Sequence, residues 1–279
     1  MSILSGNARL AGIVGWPVLH SRSPQIHGFW LQRYGIDGAY VPLSVRENNF
    51  AEALRGLAMA GFAGVNVTMP HKLAAFEICH NVDETARRAG AANTLDFRHG
   101  RIEGRNTDGF GFIANLQDHG IDPLIGPALV LGAGGAARAI AATLAACSVP
   151  VAIANRTRDR AEELVRDVAG LTLVEWGRRG DVLADISLLV NSTSLGMTGH
   201  PALEIDLDRA SPGLVVADTV YVPLETPLLA AARARGLRVV EGLGMLLHQA
   251  RPGFAAWFGA EPTVDRELRS FIAADLSRP

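Results

Sequence analysis

The distribution of apolar positions along the first part of the chain predicts strands and helices in regular succession. Three short apolar runs predict buried strands, namely Ala11–Gly15, Ala39–Val45 and Ala63–Val67. An amphipathic helix with Ser23 as its N-cap and Pro24 as its first residue is expected after the first strand, and a helix at Asn49–Ala60 after the second. This order predicts a parallel sheet, whose ligands usually lie beyond the carboxyl ends of the strands.

The next stretch predicts smaller elements. Two short helices are expected between residues 72 and 90, followed by a hairpin of the strands Thr94–Phe97 and Arg101–Gly104. A helix that buries Phe110 comes after the hairpin.

From Ala128 onward the alternation predicts a second, doubly wound sheet. Its strands are expected to start at Ala128 and to continue with Val151–Ala154, Leu171–Glu175, Ser187–Asn191, Val215–Asp218 and Arg238–Val240. Helices are expected from Gly135 and at Asp159–Val168. After Gly244 two helical patterns follow with no strand between them, so the simplest packing returns them to the first domain. Pro252 cannot donate a backbone hydrogen bond, and a kink or break is expected there.

The segment 128–146, ALVLGAGGAARAIAATLAA, combines a strand, a glycine-rich turn and a helix. In a G-x-G-x-x-A turn the glycines let the chain reverse and approach phosphates, and the small Ala137 lets the helix pack closely on the strand. The positive end of the helix dipole then faces the phosphates. The turn predicts a dinucleotide site that includes Gly132, Ala133, Gly134, Gly135 and Ala136.

The end of the second strand of this domain indicates which dinucleotide binds. An acidic residue there commonly holds the ribose 2′-hydroxyl of NAD, but this strand ends in NRTRDR, residues 155–160. Arg156 and Arg158 provide cations for a 2′-phosphate, which a carboxylate would repel. The expected cofactor is therefore NADP(H), held by a loop that also contains Asn155 and Thr157.

Composition and charge restrict the classes of partner. The 279 residues suit two domains, and a net charge of −2 with a pI near 6.4 gives no field that would attract nucleic acid or an anionic membrane. Cys79 and Cys147 lack metal-ligand spacing, which fits a reducing compartment and no metal site. The first residues lack the pattern of a signal peptide, so a cytoplasmic protein is expected. The expected partner is a small-molecule substrate, and the choice between monomer and homodimer stays open.

Several separated motifs together resemble one family. HSRSP, NVTMPHK, GAANTL, GRNTDGFGF, GAGGAARA, NRT, NSTSLGM, YVPLETPLL and EGLGMLLHQA occur in the order, and at roughly the spacing, of the shikimate dehydrogenases. The resemblance implies an α/β enzyme that reduces 3-dehydroshikimate to shikimate with NADPH, in the biosynthesis of chorismate and the aromatic amino acids. It implies a substrate-binding, catalytic domain at 1–107 and 245–279, with a mainly parallel sheet. It also implies a Rossmann-like NADP-binding domain at 108–244.

The resemblance also implies roles for individual residues. Lys72 and Asp108 match the catalytic acid–base pair, because ketone reduction needs a proton at oxygen as well as a hydride at carbon. A close Lys and Asp titrate as a coupled pair, so the residues leave open which one transfers the proton. His71 ranks second as a proton donor. The positions that bind substrate are Ser21, Ser23, Asn66, Thr68, Lys72, Asn93, Asp108, Tyr221 and Gln249. Further cofactor positions are Ser192, Thr193, Gly242 and Met245.

Two features depart from the family pattern. Arg105 precedes NTDG where the family often carries Asp, and it adds a positive charge near Asp108. We expect it to shift the titration of the catalytic pair, to contact the cofactor or to point to solvent. Pro252 lies just after Gln249, so the reach of Gln249 depends on the path of the helix at that proline.

Two alternative functions stay open. A quinate or broad-specificity quinate/shikimate dehydrogenase often carries Thr at the second serine of HSRSP and an acidic loop in place of NRT, so Ser23 and Arg156 favour shikimate and NADP. A non-catalytic sensor of shikimate-pathway metabolites would keep the fold without the chemistry. The presence of both Lys72 and Asp108 favours an enzyme over a sensor.

Overall fold

Apolar runs and amphipathic segments form alternating strands and helices in a computed structural model that describes residues 3–276. The first part of the chain contains β1 (Arg9–Gly15), α1 (Ser23–Arg33), β2 (Gly38–Ser44), α2 (Phe50–Met59), β3 (Gly64–Val67), α3 (Lys72–Ile78), β4 (Asn81–Val82), α4 (Glu84–Ala89), β5 (Thr94–Arg98) and β6 (Arg101–Arg105). The remainder contains α5 (Asp108–Asp118), β7 (Ala128–Leu131), α6 (Gly135–Ala146), β8 (Val151–Ala154), α7 (Arg158–Asp167), β9 (Leu171–Leu173), β10 (Leu188–Asn191), β11 (Val215–Asp218), α8 (Pro227–Ala234), β12 (Arg238–Val240), α9 (Leu243–Phe258) and α10 (Arg266–Leu276).

The first sheet has the strand order β2-β1-β3-β5-β6-β4 and is mainly parallel around β1. β1 pairs in parallel with β2 and β3, because α1 and α2 provide the crossovers, whereas β5 and β6 form an antiparallel hairpin beside β3. His99 and Gly100 turn the hairpin with φ angles of 51° and 73°, the positive values that a two-residue hairpin loop favours. The carboxyl ends of β1 and β3 consequently adjoin.

The second sheet has the order β12-β11-β10-β7-β8-β9, and all of its strands are parallel. The chain runs outward from β7 through β8 to β9 and then returns to the other side of β7 with β10, β11 and β12. The winding direction reverses between β7 and β10, which is where doubly wound sheets bind their ligands. Apolar clusters cover both faces of this sheet, so its central strands are buried on both sides.

Contacts divide the chain into two compact units. The first contains the residues up to Thr107 and those from Leu247 onward, and the second is Asp108–Leu246. The C-terminal helices therefore return to the first unit, as their pattern predicts. In that unit His27 and Tyr40 stack with ring centroids 3.8 Å apart, and both rings pack against Trp257 of α9. Within residues 3–276 no helix has the length and apolar character that crossing a bilayer requires.

Two local predictions are wrong, and a third is wrong in part. Phe110 of α5, which was expected to be buried, is 44% exposed. α1 begins at Ser23 itself and its N-cap is Arg22, because the Ser23 hydroxyl bonds to Tyr40 and does not turn back to cap the helix. Of the kink or break expected at Pro252, the break does not occur, because α9 continues through that proline. The residues that follow, among them Phe254 and Trp257, are buried, and their packing offsets the lost backbone hydrogen bond.

The sequence pattern also missed the two-residue strand β4 and helix α8. The other predicted strands agree with the structure within two residues at each end. A strand as short as β4 has no period to detect, and α8 is only eight residues long and begins with a proline, Pro227.

Candidate active site

Two loops of the first unit meet where β1 and β3 end. The loop after β1 contains Ser21 and leads directly into α1, whose first residue is Ser23, and the loop after β3 contains Thr68. The backbone N–H of Trp16 donates to the carbonyl of Met69 at 3.0 Å, so hydrogen bonding between the two segments continues beyond the strands. The structure therefore brings together two of the motifs that the sequence singled out for substrate binding.

Tyr40 connects two of the predicted substrate residues. Its hydroxyl donates to Asn66 Oδ1 at 2.7 Å and is also hydrogen-bonded to the hydroxyl of the buried Ser23. Burial raises the pKa of Tyr40 well above its ordinary value, and the bond from Ser23 offsets part of that rise. No motif pointed to Tyr40, because it is contributed by β2 and its role follows from the tertiary fold.

A buried polar network continues from Asn66 across the first sheet. Asn66 Nδ2 donates to the Asn93 carbonyl at 3.2 Å and to Thr94 Oγ1 at 3.0 Å. Asn93 Oδ1 in turn accepts hydrogen bonds from Thr94 Oγ1 at 3.0 Å and from the Thr107 backbone N–H at 2.9 Å. Both ends of the Asn66 amide are thereby fixed, and the network ends at the residue before Asp108.

His71 and Lys72 are neighbours in sequence with different surroundings. The His71 ring is buried, with Nε2 2.7 Å from the Val45 carbonyl and the ring stacked on Phe50 at 4.4 Å between centroids. This geometry makes His71 a packing residue, which argues against it as the proton donor. Lys72 is the first residue of α3 and is partly exposed, and its carbonyl accepts the Ala92 N–H at 2.9 Å.

Asp108 is the first residue of α5, in the second unit, and its side chain is buried. A negative charge is favoured at this end of a helix by the backbone dipole. The next residue, Gly109, lies against α6: a Cβ there would collide with the Thr143 side chain and lie 3.0 Å from the Ala139 carbonyl. Glycine at this position therefore sets α5 close to the helix that follows the glycine-rich turn.

The glycine-rich turn has the features of a phosphate cradle. Gly132 has a φ angle of 115°, and a Cβ there would lie 2.7 Å from the Ser192 carbonyl oxygen, so only glycine fits. Gly134 is the N-cap of α6, and nothing lies within 4 Å of the position its Cβ would take. A side chain would fill this open space at the helix N-terminus. The Ser192 hydroxyl oxygen is buried without a hydrogen-bond partner in residues 3–276. These features fit a bound pyrophosphate.

The basic loop after β8 separates the two arginines that the sequence grouped together. Arg158 forms ion pairs with Glu162 at 2.7 Å and with Glu175. Arg156 is exposed, and no ion pair in the described part of the chain involves it. Arg160, in the first turn of α7, is likewise exposed and outside any ion pair of residues 3–276, and no motif indicated it. A hydrogen bond from Asn155 Nδ2 to the Thr157 carbonyl at 2.8 Å holds the loop.

Asp218, at the end of β11, is a buried carboxylate that no motif indicated. It accepts hydrogen bonds from Asn191 Nδ2 and from the Val220 backbone N–H, each at 3.0 Å, and from Thr226 Oγ1 at 2.7 Å. Burial raises the pKa of Asp218 to about 6, and the three hydrogen bonds offset part of that rise. The loop it organises leads to Tyr221.

The last predicted cofactor residues are Gly242, in the loop after β12, and Met245, in the first turn of α9. Asn115 of α5 donates from Nδ2 to the Glu241 carbonyl at 2.8 Å and so ties this loop to the helix that begins with Asp108. Gly242 is required there, because a Cβ would lie 2.5 Å from the Thr219 carbonyl oxygen. Met245 is 7% exposed and packs in the apolar core of the second unit. Its side chain therefore contributes to the packing of that core.

Arg105 and Gln249 complete the predicted positions. Arg105 forms an ion pair with Asp96 on the neighbouring strand of the hairpin, a contact that the sequence did not predict. Gln249 is a partly exposed residue of the continuous helix α9, in the part that belongs to the first unit.

The second unit defines the class of protein. Six parallel strands in doubly wound order, a glycine cradle at the switch point and a basic loop after the second strand belong to a Rossmann-type dinucleotide-binding protein. Comparison with known families identifies which one. The family model "Shikimate dehydrogenase substrate binding domain" matches residues 13–95, and the model "Shikimate / quinate 5-dehydrogenase" matches residues 126–197.

Individual relatives agree with these matches. The chain is 63% identical to a protein of Acidiphilium cryptum named shikimate dehydrogenase (NADP(+)), over 98% of this chain and 99% of that protein. It is 54% identical to the protein of that name from Gluconobacter oxydans, over 98% and 99%. A solved shikimate 5-dehydrogenase of Thermus thermophilus, in complex with NADP(H) and shikimate, matches with a TM-score of 0.86 and 36% identity, covering 96% of this chain and 99% of that one. The chain belongs to the shikimate dehydrogenase family, as its motifs predict.

Proposed function

We propose that the protein catalyses the reversible, NADP-dependent reduction of 3-dehydroshikimate to shikimate, as a step in aromatic amino-acid biosynthesis. One observation carries the proposal: in a chain 63% identical to an NADP(+) shikimate dehydrogenase, the segment with Ser21 and Ser23 and the Thr68–Lys72 segment follow adjoining strands of the first unit. In this proposal the first unit binds the substrate and the second binds the cofactor.

Substrate binding is assigned to hydroxyl and amide side chains. Ser21 and Ser23 donate to the substrate carboxylate, since a carboxylate removed from water needs hydrogen-bond donors. Asn66, Thr68 and Asn93 bind the ring hydroxyls, because amides and hydroxyls both donate and accept. Support comes from the network that fixes the Asn66 amide before any ligand arrives. Tyr221 and Gln249 complete this set.

Cofactor binding is assigned to the glycine cradle and the basic loop. Residues 132–136 hold the pyrophosphate, and Arg156 holds the 2′-phosphate with Asn155 and Thr157. Arg160 is a better second cation than Arg158, whose charge is already paired with two glutamates. Ser192, Thr193, Gly242 and Met245 form the remaining cofactor wall, Met245 by packing beneath it. When bound, NADP(H) supplies or accepts the hydride.

Acid–base chemistry is assigned to Lys72 and Asp108. In the reducing direction the Lys72 ammonium gives a proton to the substrate oxygen as that oxygen gains negative charge, and in the oxidising direction the Lys72 amine takes the proton from the hydroxyl. Asp108 binds the neighbouring hydroxyl and orients the lysine. The enclosed ring of His71 supports Lys72 over His71 as the donor.

Two further expectations belong to the proposal. We place the enzyme in the cytoplasm, which the unpaired thiols of Cys79 and Cys147 support. We also propose a homodimer as its assembly. Sedimentation equilibrium at micromolar concentration tests the homodimer, and a monomer mass across the range would contradict it.

The function is tested by following NADP⁺ reduction at 340 nm with purified protein. Shikimate and quinate are supplied in parallel, and each is repeated with NAD⁺. Turnover with shikimate and NADP⁺ alone is the expected result. Comparable rates with quinate or NAD⁺ would contradict the assigned specificity, and absence of turnover despite measurable shikimate binding would contradict the assigned activity.

A further inference from the structure

Asn191 and Asp218 are the last residues of the paired strands β10 and β11, and they lie side by side. Both are buried, at 0% and 2% exposure, and Asn191 Nδ2 donates to Asp218 Oδ1 at 3.0 Å. Each residue begins a loop, which we call the asparagine loop (residues 191–195) and the aspartate loop (residues 218–221). Their side chains join the two loops at the carboxyl edge of the second sheet.

The Asn191 amide sets the path of the asparagine loop. Its Oδ1 accepts hydrogen bonds from the Thr193 backbone N–H at 3.1 Å and from Thr193 Oγ1 at 2.7 Å, and its Nδ2 also donates to the Leu195 carbonyl at 3.0 Å. Thr193 Oγ1 then accepts the Leu195 N–H at 3.1 Å. One side chain therefore fixes both Thr193 and Leu195.

The Asp218 carboxylate sets the path of the aspartate loop in the same way. Oδ1 accepts the Val220 N–H, and Oδ2 accepts Thr226 Oγ1, which itself caps α8 by accepting the Leu229 N–H at 3.3 Å. These donors are neutral. A carboxylate buried among neutral donors is costly compared with an apolar residue, so its presence indicates that the geometry it imposes matters.

Contacts on both sides extend this joint along the edge of the sheet. On one side the Ser192 backbone packs on Gly132 of the glycine cradle, where a Cβ would lie 2.7 Å from the Ser192 oxygen. On the other side the Val220 carbonyl oxygen lies 2.6 Å from the position that a Cβ at Gly242 would take. The Asn191–Asp218 pair is the polar link in a series of close contacts that runs from the cradle to Gly242.

We propose that Asn191 and Asp218 are positioning residues that keep the asparagine loop, with Ser192 and Thr193, in register with the aspartate loop, with Tyr221. This inference rests on the proposed function, which assigns the first loop to NADP(H) and the second to the substrate. Neither Asn191 nor Asp218 touches a reacting atom in this role. Their effect is to hold the two sets of ligand contacts at a fixed separation, so that hydride donor and acceptor are aligned.

The test compares two single variants with a swap. Asn191→Asp places two carboxylates in contact, and Asp218→Asn replaces the acceptor by an amide while keeping its shape. The double variant with both changes restores one carboxylate beside one amide in reversed order. Thr226→Val is the matched control, because it removes a hydrogen bond from the other oxygen of Asp218 and the cap of α8 but leaves the Asn191–Asp218 bond.

For each variant we measure the NADP⁺ dissociation constant by titration calorimetry, kcat and KM with shikimate, and the thermal midpoint. Both single variants are expected to weaken NADP⁺ binding at least tenfold and to lower kcat more than tenfold. The swap is expected to recover at least part of both losses, and Thr226→Val to lower the thermal midpoint with NADP⁺ binding within twofold of wild type.

Three outcomes would overturn the inference. One is ligand binding and kcat within twofold of wild type in both single variants, with only the thermal midpoint lowered. The second is a loss of NADP⁺ affinity in Thr226→Val as large as that in the single variants, with an equally lowered thermal midpoint. The effect on binding would then come from general destabilisation. The third outcome applies if the single variants do not fold, because the double variant is then the test. A double variant that folds but binds NADP⁺ tenfold more weakly than wild type would overturn the inference. Failure of the proposed function is seen separately, as absence of turnover by the wild type while calorimetry still reports NADP⁺ binding.

Discussion

Arg105 on β6 neutralises the carboxylate of Asp96 on the adjacent strand β5. The carboxylate is 2% exposed and the guanidinium 32%, and Asp96 Oδ1 is buried with no hydrogen-bond partner in residues 3–276. The other nearby cation, Arg98, is 4.0 Å away and largely exposed. Arg105, which precedes the Asn106–Asp108 segment, is therefore the main ion-pair partner of this buried carboxylate.

Arg105→Ala is expected to destabilise the protein by about 3–5 kcal/mol, because it leaves a buried carboxylate without its partner. The measurement is the free energy of unfolding in urea. Arg101→Ala, an exposed arginine on the same strand, is the control and is expected to change that free energy by less than about 0.5 kcal/mol. Adding Asp96→Asn to Arg105→Ala should recover part of the loss. A change below about 1 kcal/mol in Arg105→Ala would contradict this account.

The buried His27 is expected to make the folded protein less stable in acid. Burial lowers its pKa from 6.5 to about 3, so the unfolded chain binds a proton below pH 6.5 while the folded protein does not. Stability from this group is complete above pH 6.5 and is lost as the pH falls toward 3, by about 2–3 kcal/mol at pH 4.5. His27→Phe, which keeps the ring stacked on Tyr40, should remove that part of the acid loss. His99→Asn, at an exposed histidine, should keep it. Equal acid slopes for wild type and His27→Phe in urea unfolding would contradict the prediction.

Asp218 is expected to change the free energy of unfolding with pH in the opposite direction. Its folded-state pKa of about 6 lies above the ordinary 3.8, so between these values the folded protein binds more protons than the unfolded chain. Stability from this group therefore falls as the pH rises from 3.8 to 6, by a total of about 3 kcal/mol. Asp218→Asn should flatten this component of the curve of unfolding free energy against pH. A variant with the wild-type slope between pH 4 and 6 would show that the carboxylate does not titrate there.

Lys72→Ala is expected to fold normally and to lower kcat by about 10²- to 10⁴-fold, the usual contribution of general acid–base catalysis. Lys72→Arg should also be slow, because a guanidinium keeps the charge but does not release its proton near neutral pH. Glu77→Gln, an exposed residue of the same helix, is the control with near-wild-type rates. Near-wild-type kcat in Lys72→Ala would remove Lys72 from the chemistry.

Arg156→Ala is expected to raise the KM for NADP⁺ by about 10- to 150-fold, since a hydrogen bond to a charged group contributes about 1.5–3 kcal/mol. The KM for NAD⁺ should change little, because NAD⁺ lacks the 2′-phosphate. Arg158→Ala is the matched control on the same loop, with a smaller effect, because Glu162 and Glu175 already pair with that guanidinium. Equal effects of Arg156→Ala on the two cofactors would show that Arg156 does not bind the 2′-phosphate.

The doubly wound second unit could be predicted from the sequence because each pattern that indicates it lies within a short stretch of the chain. A glycine turn between a strand and a helix, and apolar runs at regular spacing, occupy a few consecutive residues each. The bond from Tyr40 to Asn66 was not readable, because these residues come from β2 and β3 and meet only when β1 pairs with both.

Charge partners were harder still to predict. The sequence grouped Arg156 with Arg158, yet Glu175, which pairs with Arg158, is 17 residues further along the chain. Arg105 was expected to act near Asp108 because the two residues are close in sequence, whereas its ion-pair partner, Asp96, lies on the other strand of a hairpin. The roles of the predicted substrate and cofactor residues stay predictions until the variants above are measured.

The aromatic packing of the first unit has a consequence for synthesis on the ribosome. His27 and Tyr40 stack against Trp257, whose indole N–H also donates to the Leu95 carbonyl at 3.2 Å. A nascent chain that has emerged as far as Leu246 thus contains the whole second unit but not the part of α9, from Leu247 onward, that carries Trp257. The second unit is therefore complete before the first, although its synthesis begins later. The rings of His27 and Tyr40 stay uncovered until the last part of the chain, with Trp257, has been synthesised.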